Sequence, residues 1–211
     1  MADDVDVYIA DLADPSKEGR TRYGYRDSSS SGWFTYAIGQ KAGSWTEAAT
    51  APWWNYTAGR MAGAVEVANE FKRVMSLPPG RAAASYQNRG EPVVELLDEG
   101  PETLARRALE QRFLPALAEV FPGFAALPLC VRRALVDIVW NVGPGRIATS
   151  TQTATGIRAF TVLRRELAAT PPDWDRVAAA THRHADTPHA EARNAWAAAM
   201  VLQAKAPAAV T

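Results

Sequence analysis

A single cysteine, Cys130, excludes any disulfide within this 211-residue chain. Stability must then come from packing, and a reducing compartment is tolerable. No sign of charge dominates either: Lys plus Arg number 23 and Asp plus Glu number 23. That balance argues against duplex nucleic acid, whose binding draws on clustered cations that release counterions. Long apolar runs are missing, since none approaches the roughly 18 residues needed to span a bilayer. The acidic start MADDVDVYIADLADP has neither the basic opening nor the apolar stretch of a secretory signal. A chain made in the cytoplasm and not inserted in a membrane is therefore expected. Ser28 to Ser31 form no G-x-S-x-G elbow, so serine-hydrolase chemistry has no support. His182, His184 and His189, with Asp186 among them, fall at an expected helix end and loop, without the tightly paired ligands of structural zinc. No metal site and no cofactor are expected, and no internal repeat is present.

What the chain does have is apolar bulk. Hydrophobic residues make up 47% of it, enough for a folded protein, and seven are Trp. Near the N-terminus, RYGYRD (22–27) and WFTYAI (33–38) are short, aromatic and strand-like. SSSSG joins them as a polar, glycine-containing connection, which predicts a hairpin. Alternation along the second strand predicts Trp33, Thr35 and Ala37 on one face and Phe34, Tyr36 and Ile38 on the other.

From about Arg60 the periodicity becomes helical. Val65, Ala68, Phe71 and Met75 predict one apolar stripe, which SLPPG stops before a long loop through GEP. Leu104, Ala108, Phe113, Leu117 and Phe121 predict a second stripe that Pro115 should kink or restart. LPLCVRRALVDIVWNVGPG is apolar nearly all round, which predicts a buried central helix ended by Gly143-Pro144. Further helices are expected at 156–168 and 190–205, and a short one after Asp173, a natural N-cap. These elements predict a mostly helical α+β fold, a small hairpin lobe beside a larger helical lobe with a cleft between them. Within that single domain, 1–60 carries the hairpin, 61–98 links, 99–205 is helical and 206–211 is a tail.

Two carboxylates flank the first strand, Glu18 and Asp27, nine residues apart. Splitting a glycosidic bond needs an acid to protonate the leaving oxygen and a second group to manage water or developing positive charge. Thr35 stands opposite in the hairpin, and a hydroxyl that both donates and accepts can hold an attacking water. Arg20, Arg22 and Arg26 lie close in sequence and would favour an ionised Glu18, the reverse of what an acid needs. Tyr23, Tyr25, Trp33 and Phe34 can supply the opposing apolar cover. Trp45, Trp53 and Trp54 are expected to pack their segment onto a lobe, with a sugar-binding groove as the alternative. Trp140, Trp196 and Cys130 are expected in the core. Arg132-Arg133 and Arg164-Arg165 are expected on solvated faces or at lobe contacts.

The order Glu18-Gly19, Tyr25-Arg26-Asp27, Thr35 and Ile38-Gly39 resembles the active-site segment of phage-type lysozymes, glycoside hydrolase family 24. SSSSGWFTYAIGQ is also similar to a segment of the pesticin-like muramidases. The central helix ending at Asn141 and Gly143, and the arginine-bearing segment around Arg193, resemble later elements of the same fold. The resemblance does not cover Lys41 to about Pro92. Two departures stand out: the gap from Asp27 to Thr35 is two residues longer than the usual phage spacing, so the serine turn must bulge, and Gln40-Lys41 replaces an aspartate of the pesticin-like enzymes.

The resemblance implies a lysozyme-like fold and cleavage between N-acetylmuramic acid and N-acetylglucosamine in peptidoglycan. It implies inversion, with carboxyl groups roughly 6.5–9.5 Å apart. Glu18 matches the general acid, Asp27 the second carboxylate and Thr35 the water-positioning hydroxyl. Trp33, Tyr36, Asn141 and Arg193 are the expected substrate contacts, Arg193 also as a group that holds the Glu18 carboxyl. The partners implied are glycan strands, an immunity or inhibitor protein, or a secretion apparatus, for a monomer that acts at the cell wall after holin-type or secretion-system delivery. The other reading is an inactive module of that fold that binds peptidoglycan or a partner protein.

Overall fold

Short strands pair near the N-terminus because aromatic and β-branched side chains fill a pleated, half-buried surface. The computed structural model describes residues 2–28, 32–183 and 188–206. The architecture is mixed α+β, as the sequence predicts, and divides into two compact units. One is Leu12–Arg106, and the other combines Met1–Asp11 with Arg107–Thr211. The hairpin thus shares a unit with residues 61–98.

The opening helix α1 (Ala2–Ala13) buries Val5, Tyr8, Ile9 and Leu12, a helical i, i+3, i+4, i+7 stripe. In the unit Leu12–Arg106, a turn follows α1. Asp14 accepts from the Ser16 N–H (2.8 Å) and hydroxyl (2.6 Å), and its carbonyl from Lys17 and Gly19 N–H. Asp14 therefore caps a single turn leading to Glu18, where Pro15 predicts the start of a short helix. Strands β1 (Thr21–Arg26), β2 (Phe34–Ala37) and β3 (Gln40–Ala42) form an antiparallel sheet in that order. Tyr25 faces Thr35, which faces Lys41, and Arg26 faces Phe34, which faces Ala42.

After α2 (Trp45–Ala48) come β4 (Trp53–Asn55), β5 (Arg60–Met61), α3 (Ala64–Ser76) and β6 (Val94–Leu96). The second sheet runs β5-β4-β6. Its two- and three-residue strands are too short for periodicity to reveal. Phe34, Tyr36, Trp53, Val67, Tyr86 and Leu96 anchor one aromatic core. Phe34 sits 4.9 Å from Phe71 and Tyr36 5.4 Å from Trp53, centroid to centroid. The buried face of α3 carries Val67, Glu70 and Val74, whereas Val65, expected inside, is exposed. Glu66 sets that rotation: it accepts from the Gly63 N–H (2.6 Å), from Asn55 (2.6 Å) and from Arg60 (2.9 Å).

α4 (Gly100–Ala108) leads through a π-helical turn at Leu109–Phe113 into α5 (Leu114–Val120). The Leu114 N–H reaches back to the Leu109 carbonyl, so Pro115 restarts the helix through a widened turn. In the larger unit, α6 (Leu129–Val142) buries Val131 and the whole run Ala134–Val139, as its composition predicts. Gly143, at φ +77°, donates to the Val139 carbonyl and stops it. Arg133 forks onto Asp11 (2.6 Å twice) and Arg132 reaches Asp4 (2.6 Å), so both arginines tie α1 to α6. Then come α7 (Thr161–Ala168), α8 (Trp174–Ala179) and α9 (Pro188–Leu202), with α9 packed against α6 and α8. Asp173 caps α8 through the Asp175 (3.0 Å) and Arg176 (3.3 Å) N–H groups. Among the described residues no helix is long and apolar enough to cross a membrane.

Candidate active site

Glu18 reaches its place through the turn after α1, its N–H bonded to the Leu12 carbonyl at 3.4 Å. The side chain is half-buried and its carboxyl lies against the bare backbone of Gly39. A methyl group built on Gly39 would stand 2.4 Å from Glu18 Oε2 and 2.8 Å from Cδ. Gly39 also takes φ +71°, where a side chain is strained. The β2–β3 turn is fixed as well, because the Ile38 N–H donates to Gln40 Oε1 at 2.7 Å. Glycine at 39 therefore makes room for the carboxyl.

Asp27 closes the hairpin. Its Oδ1 accepts the Trp33 N–H (2.9 Å), its own N–H donates to the Trp33 carbonyl (3.1 Å), and Oδ2 pairs with Lys41 (2.9 Å). Thr35 is 2% exposed and its hydroxyl donates to the same Trp33 carbonyl at 3.2 Å. The bulge expected of the serine turn falls on residues 29–31, which lie outside the described part. The row Tyr25–Thr35–Lys41 crosses the sheet on one face. The Tyr25 phenol is raised well above its ordinary range, first by burial and then by the charges of Glu18 and Asp27. Both candidate carboxylates therefore act on one phenol.

The three arginines expected to crowd Glu18 have other partners. Arg20 bonds Glu102 (2.5 Å) and the Asp98 carbonyl. Arg22 bonds Glu95 (2.7 Å) and Asp98. Arg26 donates to the carbonyls of Gly32 (3.2 Å), Met75 (3.2 Å) and Leu77 (2.8 Å), the last two closing the C-terminus of α3. Their charges answer acids and a helix end that local sequence does not display.

Trp33 is 41% exposed, open to solvent. Tyr36 is not: only 6% exposed, it packs between Phe34 and Trp53, and burial followed by Glu47 pushes its phenol up to about 12. The correction has a simple cause, since β2 turns Phe34 and Tyr36 into the core while left-handed Ala37 ends the alternation. Asn141 and Arg193 belong to the other unit. Asn141 is exposed on the last turn of α6. Arg193 is 2% exposed and binds Asp137 Oδ1 (2.7 Å), while Arg183 binds Oδ2 (2.7 Å) and is clasped by Asn194. That buried ion network is where Arg193 is held, rather than on an open binding surface.

Lys41 was marked in the sequence only as a replacement, and Tyr25 as cover and as the first residue of the Tyr25-Arg26-Asp27 motif. Register arithmetic across the hairpin is the signal that finds both. Trp53 is buried, its indole N–H donating to Ala48 (2.7 Å), whereas Trp45 is 40% exposed. His184 and Asp186 lie outside the described residues, and among those described no three His, Cys, Asp or Glu side chains gather around a metal position. No family model, curated protein or solved structure matches the chain.

Proposed function

We propose that the chain is a lysozyme-like peptidoglycan muramidase. Glu18 protonates the glycosidic oxygen between N-acetylmuramic acid and N-acetylglucosamine, while Asp27 and Thr35 orient water. One observation carries the reading: the Glu18 carboxyl lies against Gly39 in the β2–β3 turn, and Asp27, paired with Lys41 of β3, stands on the same small sheet. The Lys41 ammonium holds the second carboxylate in place from that strand. In this reading the substrate is glycan strand and the place of action the cell wall, reached by holin-type release or by a secretion machine. An immunity protein is the expected antagonist.

The test is reducing-end release from purified sacculi by wild type and Glu18→Gln. Release by wild type and a loss of at least about a hundredfold in the variant are expected for a general acid. Equal release by both proteins removes Glu18 from that role.

A second reading, an inactive module that binds peptidoglycan or a partner protein, draws on the same knot. Both Asp27 oxygens have partners within the hairpin, and the Thr35 hydroxyl is buried on a carbonyl. No release by either protein, with retention on sacculi, is its expected outcome.

A further inference from the structure

Trp33 and Trp45 are exposed to 41% and 40%, yet both stand on a fixed base. The β2–β3 register that sets Phe34 opposite Ala42 brings Trp33 opposite Gly43. The indole lies across that glycine: a methyl group there would stand 3.0 Å from Trp33 Cζ3 and 3.7 Å from Cη2. Gly43 is itself held, donating to Glu47 Oε2 at 2.8 Å, and the Glu47 N–H in turn donates to Ser44 Oγ at 3.2 Å. Trp45 opens the helix that Ser44 caps. Two residues of chain span at most about 7 Å, so its Cα lies within that reach of the glycine beneath Trp33.

One exposed indole thus lies on bare backbone, and a second is exposed two residues further along the chain. Their surroundings are polar: the Ser44 and Thr46 hydroxyls, 2.8 Å apart, the Glu47 carboxylate and the exposed Lys41 ammonium. A protein partner would need roughly 800 Å² of complementary surface, with an apolar centre. A pyranose asks for what is here, an aromatic plane under its CH face and donors and acceptors at its edge. The patch is also continuous with the candidate active site, because Asp27 Oδ1 holds the Trp33 N–H.

We propose that Trp33, which lies on Gly43, and Trp45, two residues beyond that glycine, form a carbohydrate-stacking subsite beside Asp27. It deepens the muramidase reading, on which the choice of an N-acetylglucosamine-containing strand rests. Gly43 is part of the device, since any side chain there lifts the Trp33 ring. Its backbone φ lies outside the left-handed region, so the cost of substitution falls on the ring.

The test is calorimetric titration of the Glu18→Gln protein with the β-1,4-linked hexamer of N-acetylglucosamine. Trp33→Ala and Trp45→Ala, each added to that background, are expected to weaken binding about tenfold. Gly43→Val is expected to do the same with both indoles retained, and Trp33→Phe to keep most of the affinity. Thermal midpoints within a few degrees of the parent's verify folding, and Trp45→Ala serves alone if a Trp33 variant fails that check. No hexamer binding by the parent, or unchanged affinity in the alanine and valine variants, overturns the subsite. Reducing-end release by wild type is scored separately. Release with unaffected hexamer binding removes the subsite and leaves the hydrolase. Binding lost in the variants without any release leaves the subsite and removes the hydrolase.

Discussion

A carboxyl resting on a glycine is vulnerable to one methyl group. Gly39→Ala places a Cβ 2.4 Å from Glu18 Oε2 and forces a side chain into φ +71°. A destabilisation of about 1–2 kcal/mol is expected from the left-handed strain, read by urea denaturation. On the muramidase reading, sacculus hydrolysis should fall with it as the Glu18 carboxyl is displaced. Normal hydrolysis by a folded Gly39→Ala protein would detach that contact from the chemistry. Thr35 offers a separate handle. Thr35→Val removes the bond to the Trp33 carbonyl from a buried site, at about 1 kcal/mol. On the muramidase reading the rate should drop further than stability explains, with Thr35→Ser recovering it. Residue types were legible here: the sequence names Glu18, Asp27, Thr35 and Trp33. It does not show that Asp27 ties off the hairpin through Trp33 and Lys41, because those bonds depend on cross-strand register.

At the scale of elements, helix ends carry the testable weight. The Glu66 carboxylate at the start of α3 is lowered to about 2, chiefly by the Arg60 hydrogen bond, then by the Gly63 N–H and Asn55. A folded-state value below the unfolded one, about 4.3, gives stability that is present above that pH. It is lost as pH falls through about 2. The gap in thermal midpoint between wild type and Glu66→Gln should therefore be full near neutrality and close between those limits. A gap independent of pH would contradict the assignment. The α8 cap gives a simpler case: Asp173→Ala should cost about 1 kcal/mol in denaturant unfolding. Asp173 was readable as a cap because its signal is local. The rotation of α3 was not, since Asn55 and Arg60, which hold Glu66, come from the second sheet.

For the molecule as a whole, the most consequential polar feature is buried in the larger unit. Asp137 of α6, 1% exposed, joins Arg183, which precedes the last helix, and Arg193, which is on it. Withdrawing their shared anion leaves two cations in a low-dielectric interior, where a broken pair costs about 3–5 kcal/mol. Asp137→Asn should therefore lower the urea midpoint strongly, while Lys205→Ala, whose partner Asp175 is exposed, should change it little. Equal effects would show that the network is not an important support. From sequence Asp137 is one polar residue on an apolar helix, and Arg193 one arginine on the last. Only the packing of α6 against α9 brings them to 2.7 Å.

The sequence by itself determined the α+β class, the buried α6, the caps and the hairpin, because each rests on neighbours within a turn or a strand. It also supplied the two carboxylates and the hydroxyl of the candidate site. Tertiary structure decided the use of each side chain: Tyr36 for the core, Arg193 for Asp137, the N-terminal arginines for distant acids, and Trp33 and Trp45 for the surface. Charge pairing and burial depend on distances across the fold, and a one-residue change of strand register or a small helix rotation reverses them.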